Sequence, residues 1–252
     1  MAPIRLALQM YTVRDHMKED YTGTLAAVKE IGYDFVEALP GPDTGEEMRR
    51  LYDDAGLTIV GMHVGLNLLE ADLDRWIDYA KAVGGADLVC PWLGEDRRKS
   101  KEDWLAVAAV LEGLGARCTE AGLRLAYHNH NFEFVQFDGQ FALDLLYENT
   151  TPENVRCEID TYWVKYGGAD PADYIRKLAG RGPLLHIKDM ADDEARSFAE
   201  IGRGILDWPG IYKAALESGV ECCVVEQDRC AGDSFDSARI SCEFATKLLA
   251  GE

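Results

Sequence analysis

The chain has 252 residues, 47% of them hydrophobic and 28% charged, with a formal net charge of −19 from 45 acidic and 26 basic side chains. That is the composition of a globular protein long enough to bury a large core, and its negative field argues against nucleic acid and anionic membranes as partners. No 18-residue apolar run marks a membrane span, and the start from Met1 has no basic segment followed by a sustained apolar one, so a cytoplasmic protein without a signal peptide is expected.

Short apolar, β-rich runs recur about every 30 residues along the chain, each followed by a segment with helical spacing. The strands are predicted at 4–10, 35–39, 58–63, 88–91, 124–130, 155–160, 184–188 and 221–227. Helices are predicted from Asp20 to Gly32, Asp72 to Val83, Lys101 to Ala121, from Pro171, from Pro209, and from Asp236 to Leu249. Pro171 and Pro209 stand at first-turn positions. Gly32, Gly56, Gly84, Gly122 and Gly219 each stand just before a strand or its first residues, where a left-handed C-cap turns a helix into the next strand. Eight strands alternating with helices imply one all-parallel (β/α)8 barrel over 1–252, with no interdomain linker. No GxGxxG or GxxxxGK[ST] turn follows the first strand, against a doubly wound nucleotide-binding sheet. The charged stretch 191–204 reads as a functional loop over the barrel mouth. Seven cysteines, an odd number with no CxxC pair, read as buried reduced thiols.

Barrels place their chemistry at the C-terminal ends of the strands. Those ends carry Gln9, Tyr11 and then Arg14; Glu37; His63; Trp92; the run Tyr127-His-Asn-His-Asn-Phe-Glu133; Glu158 and Asp160; His186 and Lys188; and Glu226 to Asp228. Four of the five histidines lie there, His16 being the exception. Carboxylates and an imidazole drawn from adjacent strands five to eight point to one divalent metal. Oxygen-rich ligation with one nitrogen suits Mn²⁺ first, then Mg²⁺ or Co²⁺, with Zn²⁺ or Fe²⁺ as alternatives.

The segments Leu8-Gln-Met-Tyr-Thr-Val-Arg14, Tyr127–Phe134, Cys157-Glu-Ile-Asp-Thr-Tyr-Trp163, Leu185-His-Ile-Lys-Asp189, Gly202-Arg-Gly-Ile-Leu-Asp-Trp208 and Val225-Glu226 occur in order over almost the whole chain. Through them the chain resembles the sugar isomerase/epimerase family of xylose-isomerase-like barrels, which includes tagatose-3-epimerase-like and inosose-dehydratase-like enzymes. The resemblance implies that Asp160, His186 and Glu226 hold the metal. Many relatives end strand five in Glu-Asn-His, whose Glu is a ligand; here His128 stands at that position. Glu133, five residues on, is preferred as the fourth ligand, with His128 the alternative. His128 and His130 alternate by two, so whichever is not a ligand is placed as acid or base.

The implied chemistry is proton transfer beside a sugar or keto-sugar carbonyl, giving isomerisation, epimerisation, or elimination as in a dehydratase or lyase. Glu226, His128, His130 and Lys188 are expected in catalysis. His63, Gln9, Tyr11, Arg14, Trp92 and Trp163 are expected around the substrate. A non-catalytic carbohydrate-binding barrel, a Schiff-base lysine enzyme using Lys188, and a DNA-cutting barrel are the competing readings. The last is disfavoured by five histidines and the charge of −19. Barrels of this kind often pair, so a homo-oligomer is allowed for.

Overall fold

The computed structural model describes residues 3–182 and 184–251; the N-terminal reading at Met1 and Ala2 lies outside them. Eight strands close into a barrel: β1 (Arg5–Gln9), β2 (Phe35–Ala38), β3 (Thr58–His63), β4 (Asp87–Cys90), β5 (Leu125–His128), β6 (Val155–Asp160), β7 (Leu184–Ile187) and β8 (Cys222–Val225). Each pairs in parallel with the next, and β8 returns to β1 through Arg5↔Cys222 to Leu8↔Val225. This is the (β/α)8 architecture expected, with strand ends shifted by one or two residues. The difference that matters is at β5, which stops at His128. The next residues turn into a short 3-10 helix, Phe132–Phe134, so Glu133 leaves the strand direction.

Local signals explain why the chain breaks where it does. Asp20, Thr44, Asp72, Ser100, Asp170, Asp207 and Asp233 each accept a backbone N–H in the first turn of the helix that follows. Such caps satisfy donors that a helix start leaves unpaired. At the other end Gly219 adopts φ 75° after the helix Trp208–Ser218, a conformation that costs a residue with a Cβ.

The barrel lumen is filled at its lower level by small apolar side chains: Ala7, Val60, Val89, Ala126, Leu184, Cys222 and Val224, with Phe35 against them. A strand alternates its faces with period two. Two residues beyond Ala7, Phe35, Ala126, Leu184 and Val224 therefore stand Gln9, Glu37, His128, His186 and Glu226, all buried. The polar layer follows from the register of the apolar one. The second, larger apolar layer lies between the strands and the helices. Below the lumen, Arg124 pairs with Asp87 at 2.8 Å and with Glu221 at 3.1 Å. No helix among the described residues is long and apolar enough to cross a membrane, and all seven cysteines are free.

Candidate metal centre

A cavity of about 850 Å³ opens at the C-terminal mouth of the barrel. Beneath it, one donor atom from each of His128, Asp160, His186 and Glu226 lies within 4.8 Å of the others. These residues come from β5, β6, β7 and the residue after β8, which is how a closed barrel brings together positions nearly 100 residues apart.

Each donor is held by its strand and by its neighbours. Asp160 caps the helix Thr161–Tyr166, its Oδ1 accepting from Trp163 N at 2.9 Å. Its Oδ2 has no aligned hydrogen bond, only an ion pair with Lys188 Nζ at 3.0 Å. Asn129 Oδ1 accepts the backbone N–H of Asp160 at 3.1 Å and locks β5 to β6. His186 Nδ1 lies 3.0 Å from Glu226 Oε2, and His128 Nε2 lies 3.9 Å from Asp160 Oδ2.

Lys188 is fully buried, its Nζ 2.8 Å from Glu226 Oε2 and 2.7 Å from Asp228 Oδ2 as well as facing Asp160. Burial alone would lower its pKa, but Asp160, Glu226 and Asp228 hold it well above the usual lysine range. Lys188 is therefore a fixed cation, unsuited to Schiff-base attack, which needs a free amine. Burial would raise Glu226, yet Lys188 and His186 hold it well below the carboxylate range. Burial lifts Asp160 to about 6 against the pull of Lys188 and His186.

A second polar layer lies below. Glu37 and Glu158, both fully buried, face His63, His128 and His186. Glu37 faces inward by alternation from Phe35, and a register shift that passes over Val60 of β3 sets Gly61 opposite it. A Cβ on Gly61 would stand 2.6 Å from Glu37 Oε1, so any other residue there would displace the Glu37 carboxylate. Burial opposes charge on His63, but Glu37 and Glu158 raise its pKa to about 10. His128 is pushed well below the usual range by burial and the neighbouring His186 and His130, and is a neutral imidazole.

The residues fit a divalent cation. Three buried or largely buried carboxylates, Asp160, Glu226 and Asp228, surround Lys188, and two more, Glu37 and Glu158, face the histidines below; so many carboxylates in a dry site call for cations beside them. Two imidazole nitrogens and two carboxylate oxygens converge with one oxygen, Asp160 Oδ2, lacking a hydrogen bond.

The structure places several of the residues expected in the site differently from the sequence reading. Glu133, the preferred fourth ligand, is not among the converging donors; His128 stands there instead. The Glu133 carboxylate accepts from Tyr127 Oη at 2.7 Å and from His130 N at 2.9 Å, because the 3-10 turn folds it back under β5. Burial raises its pKa to about 8. Gln9 is fully buried and does not line the mouth; its Nε2 donates to Glu37 Oε2 at 2.6 Å. His63 lines the cavity, but its Nε2 is engaged by Glu37 and Glu158 at 2.9 and 3.0 Å. Tyr11, Arg14, Trp92, His130 and Trp163 all line the cavity as expected. Arg14 stacks over Tyr11 at 3.9 Å, and Trp92 is 48% exposed. His130 is packed between Trp92, Phe132 and Trp163. Burial and Lys188 push its pKa down to about 3. Its Nδ1 and Trp163 Nε1 are buried without a hydrogen-bond partner.

Sequence reasoning missed Glu37, Glu158 and Asp228 as members of the site. Their position at strand ends was visible; their direction was not. The charged loop after β7 is held by Asp189, whose carboxylate accepts from Met190 N, Gly202 N, Gly204 N, Leu206 N and Trp208 Nε1 at 2.8–3.3 Å. It brings Ala195 and Phe198 to the cavity wall, as expected of a loop over the mouth.

Comparison with known proteins agrees with this architecture. An inosose dehydratase of Lacticaseibacillus casei is 29% identical over 156 residues, covering 54% of this chain and 52% of that protein, so the chain spans about half the length of this relative. An inosose dehydratase of Geobacillus kaustophilus is 24% identical over 278 aligned positions, covering 93% of this chain and 89% of that protein. The crystal structure of a sugar phosphate isomerase/epimerase from Parabacteroides distasonis superposes with a TM-score of 0.85 at 23% identity, over 99% of this chain and 96% of that one. The family model of the xylose isomerase-like TIM barrel matches residues 25–248, and the chain belongs to that family.

Proposed function

We propose that this barrel is a divalent-metal-dependent enzyme that moves a proton on the carbon beside the carbonyl of a sugar or keto-sugar, as a sugar isomerase or epimerase. The observation that carries this reading is the convergence of His128, Asp160, His186 and Glu226 within 4.8 Å beneath a cavity with aromatic walls. A divalent ion held by these four residues supplies Lewis-acid polarisation of the substrate's oxygens. Two nitrogen and two oxygen donors suit Mn²⁺, Co²⁺ or Zn²⁺ better than Mg²⁺.

The chain's own groups divide the remaining work. Lys188, a buried cation, stabilises negative charge that develops on a substrate oxygen. His130, a neutral imidazole with a free Nδ1, takes up or returns a proton on the β5 side. Glu226, held ionised on the β8 side, is the carboxylate placed to accept one there. Trp92 and Trp163 offer apolar faces to a sugar ring and keep water out. Return of the proton to the carbon skeleton gives isomerisation or epimerisation.

A second outcome, elimination of a β-hydroxyl or β-alkoxyl, shares the first step. Two observations favour keeping it. The groups on the two sides differ, an imidazole and a carboxylate, which suits an acid and a base with separate tasks. The curated relatives are named inosose dehydratases. The experiment is to measure bound metal in the purified protein, then incubate ketoses, inososes and 3-keto-glycosides in D₂O with the protein and with Asp160→Asn. Metal near one per chain, with solvent deuterium entering the carbon beside the carbonyl only with the unmodified protein, is expected. The product then distinguishes epimer from eliminated sugar. Absence of bound metal and of deuterium entry across all three classes refutes the reading and favours a carbohydrate-binding barrel.

A further inference from the structure

Each imidazole has two nitrogens, and in its neutral form one carries the proton while the other offers a lone pair. His128 and His186 are oriented alike in this respect. His186 turns Nδ1 outward to Glu226 at 3.0 Å and Nε2 inward, 2.7 Å from Glu37 Oε2 and 3.2 Å from Glu158 Oε2. His128 turns Nε2 outward toward Asp160 and Nδ1 inward, 3.1 Å from the same Glu158 Oε2. The strand register brings these groups together: His128 pairs with Glu158 across β5 and β6, and Glu158 with Leu184, two residues before His186, across β6 and β7. One carboxylate oxygen thus lies within reach of both rings. Glu37 has no contact of this kind with His128. Glu158 Oε1, in turn, has no hydrogen-bond partner, so the residue's polar function rests on the oxygen that faces the histidines.

We propose that Glu158 is the positioning residue of the metal centre: its Oε2 accepts the inward N–H of His128 and lies 3.2 Å from the His186 Nε2 that donates to Glu37, and its charge so holds both ring protons inward and turns His128 Nε2 and His186 Nδ1, as lone pairs, toward Asp160 and Glu226. The inference rests on the metal reading above. Its physical content is that a ring proton on either outward nitrogen would point at a cation, whereas an inward carboxylate draws the proton away and makes the ligating nitrogen more basic. His63 also bonds Glu158 Oε2, at 3.0 Å, but contributes no atom to the group of His128, Asp160, His186 and Glu226. It supplies the comparison that separates positioning of the ligands from simple upkeep of the buried ion pairs.

The test is a Co²⁺ titration of the full chain under chelator competition, read by the visible d–d absorption. If the unmodified protein takes up no Co²⁺, the metal reading fails before this inference is reached. Given uptake, Glu158→Gln is expected to lower Co²⁺ affinity about 10- to 100-fold, the range typical of lost second-layer partners, while His63→Asn stays within about threefold of the parent. The melting curves of the metal-free variants serve as the check on folding. Affinity of Glu158→Gln equal to the parent, or an equal loss in His63→Asn, overturns the proposal. Should Glu158→Gln not fold, Glu158→Asp withdraws the same carboxylate by one methylene, and the same titration decides: weaker binding supports positioning and parental binding refutes it.

Discussion

Glu133 offers the sharpest test of how this site is built. The sequence places it as a metal ligand; the structure places it as a buried acid beneath the His130 turn, bonded to Tyr127 Oη and His130 N. Burial raises its pKa from 4.5 to about 8. The folded state then holds a proton that the unfolded chain releases above pH ~4.5, so folding binds more protons between those two values and stability falls as pH rises through that window. At about 1.36 kcal/mol per pKa unit, a shift of roughly 3.5 units amounts to a ceiling of about 5 kcal/mol lost by pH 9 relative to pH 4. Glu133→Gln keeps the shape, donates from its amide to Tyr127 and accepts from His130 N, and cannot ionise. Denaturant unfolding of both proteins from pH 5 to pH 9 is the assay. The variant is expected to gain several kcal/mol relative to the parent across that range, and to bind Co²⁺ with parental affinity. Parallel pH profiles refute the buried-acid argument, and a tenfold or greater loss of metal affinity returns Glu133 to the ligand set.

Two further outcomes follow from the same geometry. Lys188→Met is expected to lower kcat/KM by about 10²-fold or more, the usual scale for a removed charge-stabilising donor, without weakening Co²⁺ binding, because the ammonium competes for Asp160 and Glu226; unchanged turnover would remove Lys188 from the chemistry. Asp189→Asn replaces one acceptor oxygen with a donor among five N–H groups, and at about 1–3 kcal/mol for each donor left unpaired it is expected to lower stability and expose the loop 191–204 to limited proteolysis; protease resistance equal to the parent would show that the loop is held by other contacts.

Much of this protein is legible without its structure. The apolar runs, the capping Asp and Ser residues and the glycines before the strands encode local preferences, and these alone set the alternation that closes as a barrel. Alternation by two also carries Ala126 to His128 and Leu184 to His186, so the inward direction of those ligands follows once Ala126 and Leu184 are known to face the lumen. Other decisions are tertiary. Glu37 faces the lumen by alternation from Phe35, but the register shift on β3 that sets Gly61 opposite it, and the room that Gly61 leaves, are not local to Glu37. Glu158 meets His128 and His186 because β5, β6 and β7 are neighbours, and His63 of β3 because the closed barrel brings that strand end across the lumen. The exchange of roles between His128 and Glu133 turns on a single 3-10 turn that ends β5 early. Periodicity tells which residues share a face, but a carboxylate at a strand end reads the same whether it ligates, supports a ligand or lies protonated in the core; only the neighbours brought by the fold decide its charge and its partner.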